Sequence, residues 1–331
     1  MLATEEKKYL FWLGKSVWSG RGLVVEIGPW LGGSTVSMAA GMRASGHDAR
    51  ARLHAVDNYR WRTFMAARAE LPLRAGDSFE PHFLANLSAY SDIVVSHALA
   101  LPDETVAGDR EAGDKRATDA EAVPAFDGLP GDGPIEILFI DGAKSWRGMR
   151  HLLITLAHRL EPGALLVCQD FKYWGTYWVP MMMARLSAHV EPVHNVLGGT
   201  TVAFRLTKPL SPDTLRAFED HVAAVASDEG LDRIDHAAGW LAADGDRAGA
   251  GNVSLAKVMF LCHQEHVDRA VNEFERIQSA WPAPRDVIQL VQASQYLRHQ
   301  RRRVVSRPLA VRMAWQVLKL EGAWKKRFGK E

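Results

Sequence analysis

Short apolar runs ending in or near a polar residue alternate with helix-periodic segments over the first two-thirds of the chain. No other feature limits the fold so tightly. "LVVEI" (23–27), "LHAVD" (53–57), "DIVVSH" (92–97), "IEILFID" (135–141) and "ALLVCQD" (164–170) are short and rich in β-branched residues, as buried strands are. Between them, helices are expected over Val36 to Arg43, with Ser34 or Thr35 as cap and an end near Gly46, over 79–90, and over 149–160. Leu10, Leu13 and Val17 space a further helix over 4–18. "VEPVHNV" and "TTVAFRL", joined through Gly198 and Gly199, read as a closing hairpin. Alternation of this kind predicts an α/β fold, a mainly parallel sheet with helices on both faces.

The pattern changes twice. Residues 103–134 carry nine acidic against three basic residues and almost no large apolar side chain, so they read as a flexible acidic insertion. Beyond Pro209 only helical signals remain: "SPDTLRAFEDHVAAVA" (211–226) as one helix and 254–281 as a long amphipathic stretch. A boundary near 207 is therefore expected, with 1–206 as one domain and 207–331 as a helical C-terminal region. Its last stretch, 298–331, carries eleven basic and two acidic residues along a helical stripe of Met313, Val317, Leu320 and Trp324. Such a helix suits docking within the protein, an acidic partner, or peripheral contact with an anionic membrane. Nucleic acid is disfavoured because no recognisable binding module adjoins the basic run. Two cysteines are too few for a disulfide framework, and with no apolar run of about 20 residues and no leader pattern a cytoplasmic protein is expected.

In an open parallel sheet, ligands bind beyond the carboxyl ends of the strands where the strand order reverses. There the sequence puts Glu26, then Gly28, Gly32 and Gly33 in "VVEIGPWLGGSTVS" (24–37), and Asp57 at the end of the second strand. A bare glycine loop followed by free helix amides lets a ligand touch backbone, and a strand-end carboxylate can accept both hydroxyls of a ribose. A nucleoside ligand fits. The dinucleotide fingerprint G-x-G-x-x-G does not, since Pro29, Trp30 and Leu31 separate Gly28 from Gly32, and a nucleotide-dependent oxidoreductase is disfavoured.

The stretch resembles the E/D-x-G-x-x-x-G loop of class I S-adenosylmethionine-dependent methyltransferases. It is closest to the branch with cephalosporin-hydroxylase-like and macrolide- or aminocoumarin-sugar O-methyltransferases. "FEPHFLANLSAYSDIVVSHALALP", "LFIDGAKSW" and "LEPGALLVCQDF" are similar to later segments of that branch, in order, across 1–206 apart from the insertion. The resemblance implies a Rossmann-like, doubly wound, seven-stranded sheet. It also implies that Glu26 and Gly28 contact the methionine part of the cofactor, Asp57 the ribose, and Ser96, His97, Ala98 and Leu99 the adenine edge, and that Gly32 and Ser34 are cofactor-binding.

Methyl transfer from a sulfonium requires an aligned acceptor oxygen and a route for its proton. Asp141 ends the fourth strand, and Gln169 and Asp170 end the fifth. Three oxygen ligands there would suit Mg²⁺, and related metal-dependent O-methyltransferases use an acid after the fourth strand and two adjacent acid or amide residues after the fifth. Gln169 stands where an acid is more usual, and Ala143 replaces a second acid. The alternatives are Asp141 as a helix cap and Asp170 paired with Lys172. Lys144 occupies the position of the family's His and, if desolvated, is a candidate base beside Asp141. Phe171, Tyr173, Trp174, Tyr177 and Trp178 crowd the segment after the fifth strand, as an acceptor pocket for a sugar or aromatic ring would, or as core or a subunit contact. The expected function is O-methylation of a hydroxyl on a small molecule or glycoside, by a chain compatible with a homo-oligomer. The rival, suggested by Ala143 and Gln169, is an inactive S-adenosylmethionine-binding protein acting through its helical tail.

Overall fold

The computed structural model describes residues 2–102, 123–131, 133–143, 145–280 and 287–304. Strands β1 (Leu23–Ile27), β2 (Leu53–Asp57), β3 (Val94–Ala98), β4 (Ile135–Ile140), β5 (Leu160–Cys168), β6 (Val190–Asn195) and β7 (Val202–Leu206) form one sheet in the order β3-β2-β1-β4-β5-β7-β6. Every pairing up to β5 is parallel, and β7 runs antiparallel to both its neighbours. This is the doubly wound, Rossmann-like sheet expected from the alternation.

Its topology follows from one handedness rule. From β1 the chain steps outward to β2, and from β4 it steps the opposite way to β5. Right-handed crossovers then put α2 (Gly33–Ala44) on one face and α4 (Trp146–Leu156) on the other. Strand alternation separates the faces. Val24, Leu53, Ala55, Ile137, Phe139, Leu165, Val167 and Ala203 share one cluster with Met38, Ala39 and Met42 of α2 and with Leu10 of α1 (Thr4–Trp12). Gly14 and Gly41 let these helices close: a Cβ on Gly41 would lie 2.1 Å from the Phe11 carbonyl oxygen.

The N-terminal helix is fastened to the far edge of the sheet by a buried carboxylate. Glu6 Oε1 accepts from the Thr200 and Thr201 amides at 2.8 and 3.1 Å and from the Thr201 hydroxyl at 2.7 Å, while Oε2 accepts from the Ala3 amide. The clamp closes the β6–β7 turn, where Gly199 leaves room for the Glu6 side chain.

The chain forms two compact units. One unit comprises Met1–Phe171 and Arg185–Ala224, the other Lys172–Ala184 and Val225–Glu331. The first extends past β7 because Arg150 of α4 donates to the carbonyls of Leu215 and Arg216 and the Trp146 indole to that of Glu219. Carbonyls at a helix end need partners, and Arg150 supplies donors to those of Leu215 and Arg216. The helix expected over 211–226 is limited to α6 (Pro212–Arg216) and a turn at Val222–Ala224.

The second unit is helical: α7 (Ser227–Ala243), α8 (Arg247–His263), α9 (Val267–Ala280) and α10 (Val287–Val304). The stretch expected as continuous over 254–281 breaks after His263. There Glu265 adopts φ +61°, and the His266 and Glu265 amides bond back to Leu261 and Cys262, a left-handed stop made without glycine. Buried Lys257 of α8 pairs with Asp235 of α7 and Glu273 of α9. Among the described residues no helix is long and apolar enough to cross a membrane. The basic stripe from Met313 to Trp324 lies outside the described residues, as does most of the acidic insertion.

The end of that insertion is packed, contrary to expectation. Phe126 is fully buried, its amide bonds to Ala100, and its carbonyl lies 2.6 Å from His151 Nε2; Arg159 donates to the carbonyls of Leu129 and Gly133. One large apolar residue and a line of backbone acceptors suffice to fix 123–131.

Removing the Glu6 carboxylate leaves buried donors without an acceptor. Glu6→Ala is expected to cost about 3 kcal/mol of stability, seen as a lower urea midpoint at unchanged slope.

Candidate functional site

Where the crossovers reverse direction, between β1 and β4, the sheet opens at its carboxyl end. The two backbones leave it in contact. Gly28 has φ +82°, and a Cβ there would lie 2.5 Å from the α-carbon of Gly142; one on Gly142 would lie 2.7 Å from the Gly28 nitrogen. Neither position accepts a side chain. Gly142, directly after Asp141, was visible in the sequence as a glycine following a strand-end acid, yet only the structure gives it a partner.

Glu26, one of the expected cofactor contacts, is buried on the α2 face of β1. Ser34 does not cap the helix as expected; its hydroxyl donates to Glu26 Oε1. The N-cap is Gly32, at φ +88°, with no side-chain cap, so the first amides of α2 remain available to a ligand. The Ser34 and Thr35 hydroxyls favour the charged carboxylate, and Asp141 and Asp57 oppose it. Burial dominates and raises the Glu26 pKa from 4.5 to about 7. Oε2 accepts no hydrogen bond, and the buried indole N–H of Trp30, in the loop that follows, donates none. An unmatched acceptor and an unmatched donor, both buried, flank the glycine loop. Gly33 has open space beside its α-carbon.

Asp57 ends β2 on the same face. Its carboxylate accepts from the Tyr59 amide at 2.9 Å, and the Asn58 and Trp30 amides also favour its charge. Burial nevertheless raises its pKa. On β3 the three expected residues part. Ser96 shares the face of Asp57, but its hydroxyl is engaged by Glu80 at 2.7 Å and Tyr59 at 3.0 Å, neither foreseen. His97 points to the opposite face, its ring 5.0 Å from that of His54 and nearly parallel, with nitrogens 2.9 Å apart. Strand alternation therefore removes the His97 side chain from the crevice that holds Glu26 and Asp57. Ala98, exposed at the end of β3, pairs with Asp57 in the sheet.

Asp141 follows β4, and its amide continues the ladder to Ile27. Ser145, not Asp141, caps α4 by accepting from the Gly148 amide. The Gln169 side-chain amide lies against the Asp141 carboxylate. Asp170, at φ +59°, accepts from the Thr200 hydroxyl at 3.4 Å, and Lys172 pairs with Asp246. Among the described residues no group of three His, Cys, Asp or Glu has metal-holding geometry, and of the expected set only Asp141 and Asp170 are of those types. Lys144, the expected base, lies outside the described residues.

The aromatic segment also differs from the pocket expected. Phe171 packs on Phe204. Trp174 is buried among the C-terminal helices, its amide and indole donating to Gln289 and Gln292, and the Tyr177 hydroxyl lies 2.8 Å from His263 Nδ1. Most of these rings are core.

A family model described as a methyltransferase domain matches residues 25–171, the span from β1 to just past β5. No curated protein matches the chain. Among solved structures, the O-methyltransferase NovP aligns with a TM-score of 0.39 at 15% identity, over 62% of this chain and 80% of its own.

Glu26 sets a pH dependence. Its folded pKa of about 7 exceeds the unfolded value of 4.5, so the folded chain holds the extra proton between them. Its contribution is complete below pH 4.5 and lost as pH rises through 7, at most about 3 kcal/mol. Urea unfolding of the ligand-free protein across that window is expected to show this loss, and Glu26→Gln to flatten it.

Proposed function

We propose that this chain, whose residues 25–171 form a methyltransferase domain, transfers a methyl group from S-adenosylmethionine to a hydroxyl oxygen of a small molecule or glycoside. The observation that carries the reading is the unmatched Glu26 Oε2 beside a loop bounded by Gly28 and Gly32 and an uncapped helix start. An amino-acid moiety brings what these groups lack: an ammonium for the carboxylate, and a carboxylate for the α2 amides and the Trp30 indole. Asp57, with backbone donors on its carboxylate, suits the ribose hydroxyls.

When bound, the cofactor supplies an electrophilic methyl group. The chain's own part is alignment, exclusion of water and removal of one proton. Asp141, at the strand end across the Gly28–Gly142 contact from Glu26, is the group proposed to take the acceptor's hydroxyl proton. Glu26, Asp57 and Asp141 together make the crevice negative, which favours a cationic ligand over a phosphate-bearing one.

Calorimetric titration with S-adenosylmethionine and S-adenosylhomocysteine, with NADH as control, tests the reading. Micromolar binding of both sulfur ligands is expected, and binding of neither would overturn it. An ammonium settling beside Glu26 lowers its pKa, so binding near pH 6.5 to 7 is expected to release a proton. The measured heat will then depend on the ionisation enthalpy of the buffer, a dependence that Glu26→Gln removes. Asp57→Ala is expected to weaken cofactor binding roughly ten- to a hundredfold through lost charge-assisted hydrogen bonds. Asp141→Ala is expected to spare binding and abolish transfer.

A further inference from the structure

A further carboxylate, Glu80, is fastened to the neighbourhood of Asp57 by a short chain of hydrogen bonds. Two residues beyond Asp57, the Tyr59 amide donates to the Asp57 carboxylate at 2.9 Å, and the Tyr59 carbonyl accepts from the Phe79 amide, also at 2.9 Å. Glu80 is the next residue, at the start of α3 (Glu80–Asn86). Its Oε1 accepts from the Ser96 hydroxyl at 2.7 Å, and the Ser96 oxygen lies 3.0 Å from that of buried Tyr59. Oε2 makes no hydrogen bond among the described residues. Burial raises the Tyr59 pKa, and the charges of Asp57, Glu80 and Glu26 add to the rise, so all three carboxylates act on one hydroxyl.

The strand order says what such a carboxylate would meet. Neighbouring strands lie about 4.8 Å apart, and β1, β2 and β3 are consecutive in the sheet. A nucleoside ligand with its amino-acid end at Glu26 on β1 and its ribose at Asp57 on β2 continues in the same direction over β3. There Ser96 and Ala98, which pair with Ala55 and Asp57, share the face of Asp57. Two small side chains leave room for a flat ring, and Glu80, held by Ser96, supplies an acceptor beside it. A carboxylate oxygen accepts from an exocyclic amino group and repels a carbonyl oxygen. We infer that Glu80 is a specificity-determining residue that reads the 6-amino group of the adenine base through Oε2. The inference rests on the S-adenosylmethionine reading proposed above. Ser96 then serves the base indirectly, by holding Glu80 in place.

The test titrates the full-length native chain, Glu80→Gln and Glu80→Ala with S-adenosylhomocysteine and with S-inosylhomocysteine, which carries a carbonyl oxygen in place of the 6-amino group. The native chain is expected to prefer the adenine ligand about tenfold or more, because the hypoxanthine oxygen faces Oε2. Glu80→Gln keeps an oxygen for the Ser96 hydroxyl and turns N–H donors toward the base. Its preference is expected to fall to within about threefold, through weaker adenine and stronger hypoxanthine binding. Glu80→Ala is expected to lose about tenfold or more in adenine-ligand affinity. A merely structural role for Glu80 would weaken both ligands by one factor and leave the preference as it was. An unaltered preference in Glu80→Gln would therefore overturn the inference, as would equal binding of the two ligands by the native chain. Binding of neither ligand by the native chain would sink the S-adenosylmethionine reading itself, and the role of Glu80 with it.

Discussion

Two glycines in contact hold the crevice in shape. Gly28 and Gly142 bring the backbones leaving β1 and β4 closer than any side chain permits, at the point where the crossovers change direction. Because the strands are hydrogen-bonded in register up to that point, the contact fixes how far Glu26 and Asp141 stand from one another. Asp57 follows from the same frame, since the Gly28 amide bonds to the Val56 carbonyl and carries the β1–β2 ladder to its end. The chemistry of the site is a consequence of this backbone crossing.

Charge is the second organising term. Asp141 and Asp57 both oppose ionisation of the buried Glu26. The fold offsets the burial of charge in different ways: hydroxyls at Glu26 and backbone amides at Asp57. What remains is a negative, partly unsatisfied site, poised for a ligand that brings positive charge and hydrogen-bond donors. A buried acceptor without a partner costs about 1–3 kcal/mol, so Glu26 Oε2 is stabilised by any ligand that fills it.

The helical unit draws on a segment of the α/β half. Residues 172–184 follow β5 directly, yet their aromatic side chains and buried Lys172 serve the core of the C-terminal helices. A run of rings after a strand is equally suited to a ligand pocket and to a helical core. Their neighbours decide, and those are some 70 to 120 residues distant in sequence: Asp246, His263, Gln289 and Gln292.

By itself the sequence determined what depends on local order: the strand-helix alternation, the carboxylates at strand ends, the glycine loop and the closing antiparallel hairpin. Periodicity and glycine spacing act within a few residues, so they can be read along the chain. Tertiary structure decided whatever depends on a distant partner. Ser34 serves Glu26 and not the helix cap, and His97 turns to His54 away from the crevice. It also decided where helices stop. Arg150 supplies donors to the last carbonyls of α6, and Glu265 ends α8 in a left-handed conformation for which glycine is the usual sign. In each case the side chain could satisfy more than one neighbour, and folding selected one that sequence distance concealed.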